Sequence, residues 1–131
     1  MTRTNNPHPA PRDCIYHLAT NADWDQARAS RVYAPVSLAS EGFIHCSMLG
    51  QLPSVVERYF AGRNDVVLLR IDRSRLRSPV RYEQSEPGEH YPHLYGPLDL
   101  RAVVESRPLR FDSLGRAQLP SAWHEEAGDP V

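Results

Sequence analysis

The chain has 131 residues, with 15 basic and 16 acidic side chains and a formal net charge of -1, which leaves room for one domain with a proper core but not for two. That balance supplies no global field for a nucleic acid or a membrane surface. Every basic residue is Arg, so Schiff-base chemistry and a lysine general base are excluded.

Residues 1–13 are rich in Pro, Asn and Thr without periodicity and read as a disordered lead-in, with no apolar run of the kind a signal peptide or membrane anchor needs. The domain is expected over residues 14–111, followed by a tail over 112–131 in which Pro and Gly are scattered around Trp123. A soluble cytoplasmic protein, monomeric or weakly dimeric, is the expectation. The two cysteines, Cys14 and Cys46, have no Cys-x-x-Cys spacing that would suggest a metal or redox pair, and a disulfide scaffold is not expected.

Ile15 to Leu18 predicts a first strand, after which Thr20 or Asn21 can cap a helix carrying Trp24, Ala27 and Arg31. A helical turn around Ser37–Ser40 leads through Gly42 into a strand containing Phe43-Ile44-His45-Cys46-Ser47. Alternation puts Phe43, His45 and Ser47 on one face of it and Ile44 with Cys46 on the other. Leu49, Leu52, Val55, Val56, Tyr59 and Phe60 follow a helical stripe in which Tyr59 and Phe60 are expected in the core, Pro53 suits a first turn and Gly62 the stop. Val66 to Asp72 is nearly continuous in apolar residues, as a strand buried on both faces is. Arg73–Arg77 predicts a turn or short helix, Val80–Glu83 a strand, and Ala102–Phe111 a final long strand. Helices early and strands late predict an α+β fold with a mixed or antiparallel sheet. No Gly-rich phosphate loop is present, which removes the P-loop and Rossmann readings.

Residues 84–97 read as a long loop carrying His90, Tyr91, His93 and Tyr95, a flap over a cleft lined by His17, His45 and Ser47. Tyr91 and Tyr95 covering one end of the sheet is the alternative. A metal site could draw on His45, His90 and His93 with Glu83, Glu86 and Glu89, yet Pro92 forbids the helix that would present His90 and His93 together. For nucleophilic catalysis, Cys46 points away from His45, and Ser47 shares its face at roughly 7 Å. A Cys–His dyad with His93 stays open.

The runs Ile15-Tyr16-His17, Glu41 to Ser47, Leu68 to Asp72, Tyr82-Glu83 and Pro92 to Leu98 together resemble a family of small bacterial and plant proteins known only as a domain of unknown function. The resemblance covers about residues 14–106 and implies the ADP-ribosyltransferase-like fold, a split, bent, mostly antiparallel sheet with flanking helices around a dinucleotide cleft. More distantly the chain is similar to NAD-dependent RNA 2'-phosphotransferases, with Tyr16-His17, Ile44-His45-Cys46-Ser47 and Ile71-Asp72 in the corresponding places. It departs from them at Leu18 and Ala19, where those enzymes carry Gly-Thr and let the backbone approach the dinucleotide. The resemblance implies an NAD-type nucleotide ligand, without a metal, and attack on the nicotinamide ribosyl bond by transfer or hydrolysis. His45, Glu83 and His93 are the implied catalytic residues, and His17, Thr20, Ser47, Tyr91 and Tyr95 the implied cofactor contacts. Glu83 paired with Arg81 or Arg101 on the sheet surface is its alternative role. The rival function is a small-molecule-binding module that keeps the cleft without turnover. RNA as a substrate calls for a basic groove, which only a local cluster of Arg70, Arg73, Arg75, Arg77 and Arg81 would create.

Overall fold

A computed structural model describes residues 13–126, with side chains to residue 123, so most of the expected lead-in and the last five residues lie outside the described residues. Strand β1 (Cys14–Thr20) pairs antiparallel with β4 (Val66–Asp72) from Cys14 opposite Asp72 to Thr20 opposite Val66. On the other edge of β4 lies β8 (Val103–Pro108), with a register shift between Arg70 and Ile71. Central β4 is apolar on both faces because each face is covered. Leu69 and Ile71 join one core with Ile15, Ala19 and Trp24, while Val66 and Leu68 join another with Tyr16, Leu52 and Trp123.

The early helices form as their caps dictate. The Thr20 side chain accepts from the Asp23 amide at 3.1 Å and opens α1 (Asn21–Ser30), which buries Trp24 and Ala27. Arg31 ends that helix at φ 71°, outside it, where the sequence predicts a helical residue. Helix α2 (Val36–Glu41) stops at Gly42, whose φ of 89° turns the chain into β3 (Ile44–His45). A 3-10 turn over Leu49–Gln51 leads into α3 (Leu52–Tyr59), with Pro53 in its first turn.

The remaining strands are β2 (Val32–Tyr33), β5 (Val80–Glu86), β6 (Glu89–Leu94) and β7 (Leu98–Asp99), and α4 spans Ser121–Glu126. Besides the β1-β4-β8 sheet, β2 pairs with β7, and a third sheet runs β3-β6-β5. All these pairings are antiparallel, as an α+β chain with an antiparallel sheet would have them.

Four expectations change. Residues 80–94 are a hairpin of β5 and β6 turning at Pro87 and Gly88, so residues 84–97 are not a long flap. Pro92, which forbids a helix, sits within a strand instead: its carbonyl accepts from Cys46, so its missing donor faces the end of short β3, where the ladder stops. Tyr59 is 61% exposed, because α3 ends there and its apolar stripe overshoots the core, while Phe60 is half-buried and packs against the core as expected. The final strand is shorter than expected, since Leu100–Ala102 form a 3-10 turn and pairing ends at Pro108. In the segment read as a tail, Trp123 is buried against Tyr16 at 5.1 Å between ring centroids and donates to Glu105 Oε1 at 2.7 Å.

Candidate functional site

An isolated bridge joins two sheets. Tyr16 and Ser47 exchange backbone hydrogen bonds of 2.8 and 2.7 Å, which sets His17 of β1 beside His45 of β3. A cavity of about 580 Å³ opens at this seam. Its polar lining comes from His17, His45, Ser47, Ser85 and His93, its apolar lining from Leu18, Val55, Phe60 and Tyr91, and its two acids are Glu41 and Glu86. No Arg lines it among the described residues.

On one wall His17 is buried. Its Nδ1 lies 2.5 Å from the His45 carbonyl, which only accepts, so Nδ1 carries the proton and Nε2 accepts from the Tyr33 hydroxyl at 2.7 Å. Burial holds its pKa down to about 4, against the usual 6.5, and the imidazole is neutral at pH 7. Burial likewise pushes the Tyr33 hydroxyl up. His45 is exposed and meets Glu41 Oε1 at 3.0 Å through Nε2, from the end of α2.

Along the wall that β6 forms, His93 projects beside His45, with 5.6 Å between the two ring centroids. Its Nδ1 donates to Glu83 Oε1 at 2.8 Å, which leaves Nε2 to accept from the Ser85 hydroxyl at 3.3 Å. The same Glu83 oxygen accepts from the Tyr95 hydroxyl at 2.5 Å. Tyr95 and then His93 hold the Glu83 carboxyl below the usual carboxylate range. Phe43 stacks on His93 at 4.1 Å and leans on His45 and Tyr95 at 4.7 and 5.3 Å, so alternation along β3 carried Phe43 and His45 to one side as expected.

Of the residues expected at the site, His17, His45, Ser47, Tyr91 and His93 line the cavity. Glu83 and Tyr95 stand behind His93, and Thr20 caps α1. Glu83 bonds to His93 and Tyr95; Arg81, over the Tyr95 ring at 5.1 Å, adds a weaker pull on the carboxylate, while the Arg101 guanidinium meets Asp99. His90 is exposed on the hairpin and offers its carbonyl to Gln51. Among the described residues no group of three or more His, Cys, Asp or Glu side chains could hold a metal ion. Cys46 points into the core and burial pushes its thiol up to about 12, so it holds no thiolate for a dyad with His93. Phe43 was expected on the face of His45, whereas Ser85 and Tyr33 were not read as partners of the histidines. Only Ser85 had a usable signal, its i, i+2 spacing from Glu83, visible once residues 84–97 are read as strand.

No helix of the described residues is long and apolar enough to cross a membrane. The profile of a family described as protein of unknown function, DUF952, matches residues 18–106. The crystal structure of protein CC0527 from Caulobacter crescentus is similar, at 31% identity and a TM-score of 0.74 over 84% of this chain and 97% of that one. The solution NMR structure of CC0527 gives 31% identity and a TM-score of 0.71 over 84% and 96%. Among curated proteins none matches.

Proposed function

The chain belongs to the DUF952 family, and on the chemistry of its cleft we propose that it binds an NAD-type nucleotide and acts on the nicotinamide ribosyl bond by transfer or hydrolysis. The single observation that carries this reading is the convergence of His17, His45, Ser47 and Tyr91 on one cavity from strands distant in sequence. In it a neutral imidazole and a hydroxyl meet ribose hydroxyls, and the Tyr91 ring offers a face to the nicotinamide. The ADP-ribosyltransferase-like arrangement of the sheets is part of the same proposal. Because the lining holds acids and no Arg, the diphosphate stays at the mouth, where Arg58 of α3 pairs with Glu86. Glu83, behind His93, acts through it and not on the ligand.

A second reading, a binding module without turnover, is favoured by one feature. Leu18 lines the cavity where a glycine would let backbone approach the ligand. Calorimetric titration with NAD, ADP-ribose and nicotinamide, followed by chromatography for released nicotinamide, separates the two. Saturable binding with release, lost in His45→Ala, upholds the enzyme reading; binding without release upholds the module; binding of none of the three refutes both as readings of an NAD-type cleft.

A further inference from the structure

The part of the cavity wall that β5 and β6 form carries a separate chemical device. Ser85 Oγ, His93 Nε2, His93 Nδ1 and Glu83 Oε1 form one hydrogen-bonded line, at 3.3 and 2.8 Å. The carboxylate fixes the tautomer, so the nitrogen facing the hydroxyl is unprotonated and free to act as a base. The sheet explains why Ser85 stands there. In the β5–β6 ladder Gln84 pairs with His90 and Glu86 with Glu89, so Ser85 is the extra residue of a bulge, a device that re-aims a side chain. Phe43 stacks on one face of His93 and Tyr95 holds Glu83, which fixes the base on two sides. Ser85 and His93 both line the cavity, and Ser85 is exposed.

The geometry points to Ser85 as a nucleophilic hydroxyl with His93 as its general base and Glu83 as the positioning residue, serving acyl transfer from neutral esters or thioesters. The acyl group is apolar because Leu18, Val55, Phe60 and Tyr91 line the cavity that Ser85 shares, and among the described residues no Arg lines it to hold an anion. The chemistry balances. Ser85 Oγ attacks the acyl carbon as its proton passes to His93 Nε2. The bond from that carbon to the leaving oxygen or sulfur breaks, and the proton on Nε2 goes to the leaving group. Water then adds to the acyl-enzyme, giving its proton to His93, and Ser85 departs with that proton as the free carboxylic acid forms. The Ser85–His93 contact is longer than an ideal hydrogen bond, and contacts of this kind tighten when substrate fills the site. This site stands whether or not NAD binds the other wall.

A fluorophosphonate probe tests it, with the adduct mapped by mass spectrometry and the hydrolysis of p-nitrophenyl butyrate followed in parallel. Ser85 is expected to carry the adduct. Ser85→Ala, at an exposed position that leaves the fold intact, loses the adduct and the hydrolysis above background. His93→Gln slows labelling by about 100-fold. In Glu83→Gln the pH profile of labelling shifts and its maximum falls, which a merely structural role would not produce without loss of folded protein. If His93→Gln does not fold, Ser85→Cys replaces it: its thiol reacts with iodoacetamide faster than a free cysteine, with a rate that tracks a single ionisation. No adduct on the wild type, an adduct formed equally in Ser85→Ala, or a Ser85→Cys thiol no faster than free cysteine overturns the proposal.

Discussion

His17 and His93 line one cavity, carry the same tautomer and differ in everything that follows from it. Each has Nδ1 donating to an oxygen and Nε2 accepting from a hydroxyl. For His17 those partners are a backbone carbonyl and the buried Tyr33; burial outweighs the help that the carbonyl gives a positive charge and keeps the ring neutral. For His93 they are a carboxylate and an exposed serine. A carboxylate stabilises the imidazolium that proton uptake would create, and the serine can be reached by a ligand. One histidine is a fixed hydrogen-bonding post and the other is built to move a proton. The difference lies in the two partners of each ring, not in the imidazole.

The largest expected effect breaks the comparison on the His17 side. With a folded pKa near 4 against 6.5 unfolded, the unfolded chain binds the extra proton between those values, so stability falls as pH drops through that window. The loss is about 3 kcal/mol between pH 6.5 and 4 and levels off below, and urea unfolding at stepped pH measures it. His17→Gln flattens that limb of the profile. Gly96→Ala probes the other wall, since at φ 149° a methyl would lie 2.2 Å from Ser78 Oγ and 2.7 Å from its Cβ, one residue from Tyr95. It is expected to cost about 2 kcal/mol by thermal unfolding. Tyr33→Phe leaves the buried Nε2 of His17 without its donor, and a loss of about 1–2 kcal/mol in urea unfolding is expected. The smallest effect sharpens the His93 side. Tyr95→Phe removes the first hold on Glu83, so its carboxyl rises toward the usual range. A carboxyl-carbon NMR titration reads that shift, and the stability it adds above its folded pKa, lost as pH falls through it, shrinks with it.

The same two walls separate what the sequence made legible from what it did not. The first strand, the Thr20-capped helix and the continuous β4 were readable because local pattern and burial agree there: two cores cover β4, and Thr20 caps α1. His17, His45 and Ser47 were readable as a face because strand alternation is local. What failed depends on partners far along the chain. The β5–β6 hairpin hides behind Pro87, Gly88 and Pro92, and a proline is tolerated there only because β3 is too short to need its amide. Tyr33 and Trp123 reach their partners across 16 and 18 residues or more, with no periodicity to announce them. Tyr59 shows the reverse error, in which a perfect helical stripe continues past the end of the surface it covers.

Imidazole-resolved NMR of the six histidines, recorded at pH 7 while NAD is titrated in, tests the central claim most directly. The account predicts that His45 and His93 shift saturably with a common affinity, while His17 shifts but stays neutral with its proton on Nδ1. An NAD titration that leaves all three unmoved would contradict it.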